Sequence, residues 1–361
     1  MLSAGIVGLP NVGKSTLFNA LIRNYKAEAA NFPFCTIDPN VGIVNLPDER
    51  LETLRKLENS EKIIYAGFEF VDIAGLVKGA SEGAGLGNKF LSHIREVDAI
   101  VYVIRCFEDK DIHHVDGSID SIRDFETISF ELALSDLTVI KKRIEKIQKN
   151  CKAGDKAYQI EEEILKKIEA SIENISPIEL DNEEKAVIKH LNLLSLKPFL
   201  VAANLKEEEL AETEKNTQYI KLKNHLPNIN VIPVSAKIEA ELIELTEEEA
   251  KEYLLALNVK ESGIKTLIRN AFDTLGLMTY FTVGPKETRA WTIEKNSKAP
   301  KAAGAIHSDF ERGFIKAEII SFNDFVQCGS KAKAREVGKL RLEGKEYIVQ
   351  EADIIEFKFN V

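Results

Sequence analysis

Residues 3–16 read SAGIVGLPNVGKST, and this stretch decides the fold. The apolar run Ser3–Val7 predicts a short buried strand, and Lys14–Ile22 predicts a helix. Between them, GLPNVGKS matches the phosphate-binding pattern GxxxxGK[ST] in the strand–loop–helix context that its mechanism requires. Glycines allow such a loop to wrap around phosphate groups with its backbone N–H groups pointing inward, and the N-terminus of the following helix adds a positive dipole. The stretch therefore predicts a P-loop that binds a nucleoside triphosphate.

The loop and the start of its helix supply most of the predicted nucleotide ligands. Lys14 is expected to reach the β- and γ-phosphates, which also makes it a catalytic candidate. The Ser15 hydroxyl is expected to ligate Mg²⁺. A fortuitous glycine turn is the alternative, and the flanking strand and helix argue against it. The predicted nucleotide-binding residues here are Asn11, Val12, Gly13, Lys14, Ser15 and Thr16.

Further motifs follow in the order that a switch NTPase requires. Residues 70–75, FVDIAG, form an apolar strand ending in DxxG, so Asp72 is expected to hold the Mg²⁺ shell and the Gly75 N–H to sense the γ-phosphate. Upstream, a proline-bounded loop is expected to bring Thr36 to the metal. The glycine-rich segment 79–87 is either a second switch or a spacer, and the sequence favours neither.

The base-recognition motif departs from the GTPase rule. GTPases usually carry NKxD, whose Asp accepts hydrogen bonds from guanine, whereas residues 204–207 read NLKE. An unmatched buried donor pair costs about 1–3 kcal/mol, and adenine has no N1 proton for a carboxylate to accept. We therefore expect Glu207 to turn aside, while Asn204 and neighbouring backbone, including Leu205, read the base. Ser235 and Ala236, after the last strand, are expected to complete the pocket.

The pattern along the 361 residues predicts more than one domain. Strand-like runs at 41–44, 63–71 and 99–104 alternate with helical segments, which predicts an α/β P-loop NTPase (G) domain with a mostly parallel sheet. From about Phe130 to Leu196 apolar residues fall at helical spacing, with a turn at 150–155 and a potential helix cap at Asp181. From about residue 277, short strand-like runs follow, interrupted by glycine and aromatic residues. The predicted domains are 1–128 plus 197–276 (G domain), 129–196 (helical coiled-coil insertion) and 277–361 (a smaller β-rich domain).

The charge distribution bears on a nucleic-acid partner. The chain carries 48 Lys and Arg against 58 Asp and Glu, a net charge of -10, so RNA binding needs a local basic patch. Residues 286–345 hold 13 Lys and Arg against 8 Asp and Glu. Attraction to RNA phosphates is one explanation of this patch, and solvated strand edges are the other. Five of its cations lie close together: Lys331, Lys333, Arg335, Lys339 and Arg341.

The remaining composition favours a cytoplasmic protein without a membrane partner. The longest uncharged run, residues 1–13, is too short and glycine-rich to span a bilayer, and it lacks the features of a secretory signal. The four cysteines are scattered without a CxxC pair, which indicates neither a zinc site nor a disulfide framework and fits a reducing cytosol.

Long strings in the chain resemble the YchF/Obg-like ATPase family of translation-factor-type P-loop NTPases. They are GLPNVGKSTLFNAL at 8–21, NFPFCTIDPN at 31–40, DIAGLVKGASEGAGLGN at 72–88 and NLKE. Near the C-terminus, TYFTVG at 279–284 and AGAIHSDF at 303–310 resemble the TGS domain of that family. The resemblance implies a G domain interrupted by a helical arm, then a β-grasp TGS module. It also implies ATP binding, often in preference to GTP, and association with the ribosome through the TGS domain and the arm.

The residue that positions the attacking water departs from the Ras-like pattern. Ras-like enzymes place Gln directly after DxxG, but Leu76 stands there and cannot hydrogen-bond water. The resemblance implies a catalytic histidine in the loop after the strand at 99–104, and His114 matches it. A solvated loop histidine and a role for His93 instead are the alternatives. The resemblance also implies a K⁺ ligand at Asn11.

These observations predict a Mg²⁺-dependent ATPase that acts as a nucleotide-dependent switch on the ribosome. An Obg-like GTPase is one alternative. A nucleotide-gated ribosome- or RNA-binding module with incidental hydrolysis is the other.

Overall fold

The computed structural model describes residues 2–26, 40–73, 86–109, 111–112, 114 and 117–360, with the side chains of residues 86–90 excepted. Contacts divide the chain into two compact units. The first, here called the P-loop unit, comprises Leu2–Ala20 and Val71–Gly263, and the second, the C-terminal unit, comprises Leu21–Phe70 and Ile264–Val361. Among the described residues, no helix combines the length and the apolar character that a membrane crossing requires.

The described residues form twelve strands and fourteen α-helices. The strands are β1 (Ser3–Val7), β2 (Val41–Asn45), β3 (Lys62–Ile64), β4 (Gly67–Asp72), β5 (Ala99–Arg105), β6 (Phe199–Asn204), β7 (Val231–Val234), β8 (Leu277–Val283), β9 (Glu287–Glu294), β10 (Phe314–Ser321), β11 (Arg341–Glu343) and β12 (Asp353–Phe359). The helices are α1 (Lys14–Tyr25), α2 (Glu49–Glu58), α3 (Leu86–Glu96), α4 (Ser121–Lys152), α5 (Lys156–Glu173), α6 (Asn182–Ile188), α7 (Thr217–His225), α8 (Ala236–Glu241), α9 (Glu247–Ala256), α10 (Gly263–Thr274), α11 (Ala299–Gly304), α12 (Ser308–Arg312), α13 (Phe322–Cys328) and α14 (Lys331–Glu336).

The P-loop unit is built on parallel strands in the order β1-β5-β6-β7. Every residue of β1 and β5 is buried, as is typical of parallel strands covered on both faces. The carboxyl ends of these strands lead into the P-loop, the loop that contains His114, the NLKE motif and Ser235. Because ligands bind beyond the carboxyl ends of parallel strands, the fold gathers the predicted motifs at one edge. The predicted α/β class is confirmed.

The helical arm consists of α4, α5 and α6, and it contains no strand, as predicted. Apolar residues at helical spacing form an internal core whose buried members include Ile140, Ile147, Ile164, Leu165, Ile168 and Ile172. The stripe is shorter than its isoleucine pattern predicts, because Ile160 and Ile175 are exposed. Asp181 caps α6 in a capping box, which confirms that prediction. The predicted boundary at residue 129 lies inside a continuous helix, because α4 already begins at Ser121. Its first part packs Phe125 against Tyr102 and Phe199 of the sheet.

The C-terminal unit contains a six-stranded sheet in the order β11-β10-β12-β8-β9-β3. β3 runs parallel to β9, and Ser60 Oγ bonds to the Gly284 carbonyl at 2.7 Å. Arg50 bonds to Asp48 and to Glu351, each at 2.7 Å. These contacts group residues 21–70 with the C-terminal residues, whereas the sequence assigned them to the first domain. The predicted strand at 63–71 was wrong as a single strand, because β3 ends at Ile64 and β4 begins at Gly67 in a different sheet.

Candidate nucleotide-binding site

The P-loop connects β1 to α1 with two residues in the left-handed region, Asn11 at φ 64° and Gly13 at φ 92°. A Cβ on Gly13 would lie 2.4 Å from Asn204 Nδ2. Glycine is therefore required at this position both by the backbone conformation and by the close approach of Asn204. Asn11, Ser15 and Thr16 are exposed. The loop and the first turn of α1 thus present polar groups to a ligand.

Lys14 and Asp72, taken from separate motifs, form an ion pair. Lys14 begins α1 and Asp72 ends β4, and their side chains are only 8% and 17% exposed. The sequence assigned the lysine to phosphate and the carboxylate to metal, and the structure brings the two together. Each charge compensates the other, which limits the cost of burying both.

The oxygen atoms near the P-loop fit a magnesium ion. P-loop NTPases generally use Mg²⁺, which is held by one or two carboxylates, by substrate phosphates and by water. The Asp72 carboxylate and the exposed Ser15 hydroxyl are ligands of this hard-oxygen type. No cluster of three His, Cys, Asp or Glu side chains that could hold a metal occurs in the described part of the chain. The predicted ligand Thr36 and the predicted γ-phosphate sensor Gly75 lie outside the described residues, as does Leu76.

Asn204 links the P-loop to the segment after β7. Its Nδ2 donates to the Val12 carbonyl oxygen at 2.9 Å, and its Oδ1 accepts from the Ala236 N–H at 3.0 Å. The side chain is buried. Both polar atoms of the amide bond to the protein backbone, Nδ2 keeps a second hydrogen for another acceptor, and a base-reading role of Asn204 stays a prediction.

Glu207 forms an ion pair with Lys237, and the expectation that its carboxylate turns aside from a bound base stays a prediction. The hydrogen bond that Lys237 donates to Glu207, followed by the charge of this carboxylate, raises the pKa of Lys237. Lys237 follows Ala236 on α8, whereas Glu207 stands just after β6. Glu207, which stands at the position of the GTPase aspartate, is therefore paired with the lysine that directly follows Ala236.

Backbone contacts fix the other predicted base-pocket residues. The Leu205 N–H donates to the Val234 carbonyl at 2.8 Å, and Leu205, Ser235 and Ala236 are buried. The sequence reasoning missed Glu239, whose buried carboxylate accepts from Ser262 Oγ and the Gly263 N–H, each at 2.7 Å. Nothing in the local sequence distinguishes Glu239 from the exposed acids around it.

The side chain of His114 is largely buried and pairs with a carboxylate, which is not the environment of a solvated loop histidine. Its Nε2 lies 2.8 Å from Asp124 Oδ2, and its side chain is 5% exposed. Burial raises the pKa of Asp124, and the hydrogen bond and charge of His114 oppose that rise. His93, the alternative, is exposed on α3. The two histidines therefore differ in their surroundings: His114 bonds to the Asp124 carboxylate, whereas His93 is exposed.

Arg105 organises the loop that contains His114, and sequence reasoning missed it. Its buried guanidinium donates to the carbonyls of Phe107 and Ile112, each at 3.0 Å, and of Asp109 at 3.3 Å. Burial lowers the pKa of Arg105, and the charges of Asp109 and Asp124 oppose this. The available signal was an arginine that directly continues the apolar run of β5.

Ion pairs compensate much of the basic patch at 286–345. Four of the five clustered cations pair with carboxylates: Lys331 with Glu318 and Glu356, Arg335 with Glu318, Lys339 with Asp324, and Arg341 with Glu343 and Asp353. Local charge compensation explains these residues without a nucleic-acid partner, so the patch is a weaker phosphate-binding surface than its composition indicates.

A second group of cations lies on the arm. Lys142, Lys146 and Lys149 are exposed on α4 at positions i, i+4 and i+7, opposite the buried stripe of Ile140 and Ile147. Within the described residues, none of the three lysines forms an ion pair. We call them the arm lysines. They present three uncompensated charges over about 10 Å of helix.

Comparisons with known proteins cover the whole chain. A family model described as 50S ribosome-binding GTPase matches residues 3–142, and the YchF-GTPase_C model, described as a protein of unknown function, matches 277–360. The chain is 53% identical over 365 residues to the ribosome-binding ATPase YchF of Bacillus subtilis, covering 100% of both. It is 48% identical to the protein of the same name from Escherichia coli O157:H7, covering 99% of each. A solved structure of the Schizosaccharomyces pombe YchF GTPase matches with a TM-score of 0.87 and 39% identity, covering 99% of this chain and 97% of that one. These relatives' names agree on nucleotide hydrolysis and differ on the nucleotide.

Proposed function

The chain belongs to the YchF family, and from this premise we propose that it is a Mg²⁺-dependent ATPase that prefers ATP to GTP and associates with the ribosome in a nucleotide-dependent way. Its bacterial relatives are named ribosome-binding ATPases, and its first 142 residues include a match to a ribosome-binding GTPase model. The observation that carries the proposed preference is the ion pair between Glu207 and Lys237.

The preference for adenine follows from the donors and acceptors of the two bases. Guanine presents N1–H and an amino group to a carboxylate at this position, whereas adenine presents an unprotonated N1. Lys237 occupies the Glu207 carboxylate, so guanine loses the acceptor that would select it. An unmatched donor costs about 1–3 kcal/mol. We propose that the second Nδ2 hydrogen of Asn204, together with backbone groups around Leu205, Ser235 and Ala236, contacts the base.

For the phosphates, we propose that nucleotide binding gives both members of the Lys14–Asp72 pair new partners. Lys14 binds the β- and γ-phosphates, and Asp72 with the Ser15 hydroxyl holds Mg²⁺, which supplies positive charge to the phosphate oxygens. Thr36 as a metal ligand, Gly75 as a γ-phosphate sensor and Asn11 as a K⁺ ligand complete the proposal. Since Leu76 replaces the usual Gln, His114 is the proposed residue that acts on the attacking water.

The partner surface is proposed to include the arm as well as the C-terminal module. The arm lysines are exposed and uncompensated, whereas the cations near Lys331 are mostly paired. Rows of lysine on one helix face suit the regularly spaced phosphates of RNA. We also propose a cytoplasmic location and the division into 1–128 plus 197–276, 129–196 and 277–361.

The test is cosedimentation with purified ribosomes in the presence of ATP, ADP or no nucleotide. The variant K142Q/K146Q/K149Q removes the arm lysines, and K221Q/K251Q/K260Q removes three other exposed lysines of the P-loop unit as a matched control. Loss of three phosphate contacts should lower the slope of log K against log salt by about 2 to 3 in the first variant alone. Binding that ignores the nucleotide would refute the switch, and equal slopes in both variants would refute the arm contact.

A further inference from the structure

The buried pair of His114 and Asp124 fixes which ring nitrogen carries a proton. Nε2 lies 2.8 Å from Oδ2, and the Asp124 side chain is 1% exposed. Asp124 also contacts the Arg123 guanidinium, which favours its ionised form, and an ionised carboxylate oxygen can only accept, so Nε2 is the donor in this form of the pair. The bond therefore sets the tautomer and the direction of the imidazole, which decide what the other ring nitrogen presents.

Asp124 is itself held firmly in the first turn of α4. Its N–H donates to the Asp120 carbonyl at 3.0 Å, and its Oδ1 lies 3.2 Å from Arg123 Nη2. On the other side of His114, Arg105 binds the Ile112 carbonyl. The histidine thus lies between a backbone anchor and a carboxylate whose two oxygens are both engaged.

The helix that carries Asp124 is also the first helix of the arm. α4 runs without interruption from Ser121 to Lys152, so Asp124 and the arm lysines belong to one 32-residue helix. The carboxylate that bonds to the His114 ring therefore lies on the same continuous helix as the arm lysines.

We propose that Asp124 is a positioning residue for His114, and that it fixes the tautomer and direction of the ring from the first turn of the arm helix. The inference rests on the proposed catalytic role of His114. Asp124 acts through the ring and touches no reacting atom. An outer partner of this kind changes turnover by about 10- to 100-fold when it orients a ligand, and by more when the wrong tautomer results.

The test compares steady-state ATP turnover in five proteins: wild type, D124N, H114A, H114A/D124N and D120A. D124N is expected to lower kcat at least tenfold and to leave KM within about twofold. It should add nothing in the H114A background, because both changes remove one function. D120A removes the N-cap of the same turn, whose side chain bonds to the Ile122 and Arg123 N–H groups, and should keep kcat within about threefold.

A second measurement needs no variant. Nitrogen NMR of ¹⁵N-histidine-labelled wild-type protein should show a proton on Nε2 of His114, and an unprotonated Nε2 would overturn the proposal. Unchanged or faster turnover in D124N would also overturn it, as would a D124N effect that persists without His114. Full turnover in H114A would instead refute the role of His114 in the proposed function, and a wild type that hydrolyses no ATP would refute the function itself.

Discussion

Asn204 donates a hydrogen bond from its side-chain amide to the carbonyl oxygen of Val12 in the P-loop, over 2.9 Å. The same amide accepts from the Ala236 N–H, so one side chain ties the phosphate-binding loop to the proposed base pocket. Asn204, the asparagine of the NLKE motif, therefore holds the P-loop and the proposed base pocket together. Glu207, the carboxylate of the same motif, is the proposed determinant of which base binds.

Replacing Asn204 by Ala should weaken ATP and GTP binding by similar factors. The change leaves the Val12 carbonyl and the Ala236 N–H without their partner, which should lower the free energy of unfolding by about 1–3 kcal/mol. Titration calorimetry and urea unfolding measure the two effects. Asn216 is a matched control, because this buried asparagine donates to the Cys106 carbonyl, and N216A should lose stability with little change in nucleotide affinity. A loss confined to one nucleotide would show that Asn204 discriminates between the bases and does not act only on the shape of the site.

Replacing Lys14 by Met should abolish nucleotide binding and destabilise the fold as well. The variant leaves the largely buried Asp72 carboxylate without its cation, at a cost of about 3 kcal/mol. The double variant K14M/D72N removes both charges, so it should recover most of the stability and none of the turnover. Urea denaturation and phosphate release provide the readouts. A single K14M variant as stable as the wild type would show that the ion pair contributes nothing.

Replacing Lys237 by Met should shift base selectivity towards guanine. Glu207 loses its lysine partner and becomes available to accept from guanine, so the ratio of GTP to ATP affinity should rise about tenfold. K221M, at an exposed lysine on α7, controls for the loss of one charge. Fluorescent-nucleotide displacement measures both affinities. An unchanged ratio would show that Lys237 does not determine the preference.

The ion-pair cluster of the C-terminal unit predicts a specific acid sensitivity. Hydrogen bonds from Lys331 are the largest influence that lowers the pKa of Glu318 and of Glu356. With folded pKa values below the unfolded value near 4.3, the folded state binds fewer protons in that range. The stabilisation is thus complete above the unfolded pKa and is lost as the pH falls through the folded values.

The variant K331M should therefore be less stable than wild type at pH 7, by about 1 kcal/mol. The difference should shrink as the pH falls below about 4. Thermal unfolding between pH 3 and 7 measures it, and K333M on the same helix, whose lysine is exposed, is the control. A difference that stays constant over this range would exclude the carboxylates as its source.

Local motifs predicted the main elements of the site because the residues of each motif are close together in the sequence. The strand Ser3–Val7 and the start of α1 at Lys14 follow from apolar patterning around GLPNVGKS. The cap at Asp181 likewise depends on residues three positions apart. The expectation for Glu207 rested on the local spelling NLKE and on adenine, whose N1 has no proton for a carboxylate to accept.

What sequence reasoning missed depends on residues that only the fold brings together. Lys14 meets Asp72 across 58 positions, and Asn204 meets Val12 across 192. Lys331 meets Glu356 across 25 positions, so the count of charged residues at 286–345 included this lysine but not the carboxylate that compensates it. The pairing of β3 with β9 has the same origin, because a three-residue strand carries too little pattern to reveal its neighbour.

The most direct test of the proposed preference for ATP is a competition between ATP and GTP for the purified, nucleotide-free protein in the presence of Mg²⁺. A fluorescent nucleotide analogue bound at the P-loop is displaced by each unlabelled nucleotide in turn. Because the Glu207–Lys237 pair leaves the guanine donors unmatched, ATP should displace the analogue at a concentration at least about tenfold lower than GTP does. Tighter binding of GTP would contradict the adenine assignment and the role given to the Glu207–Lys237 pair.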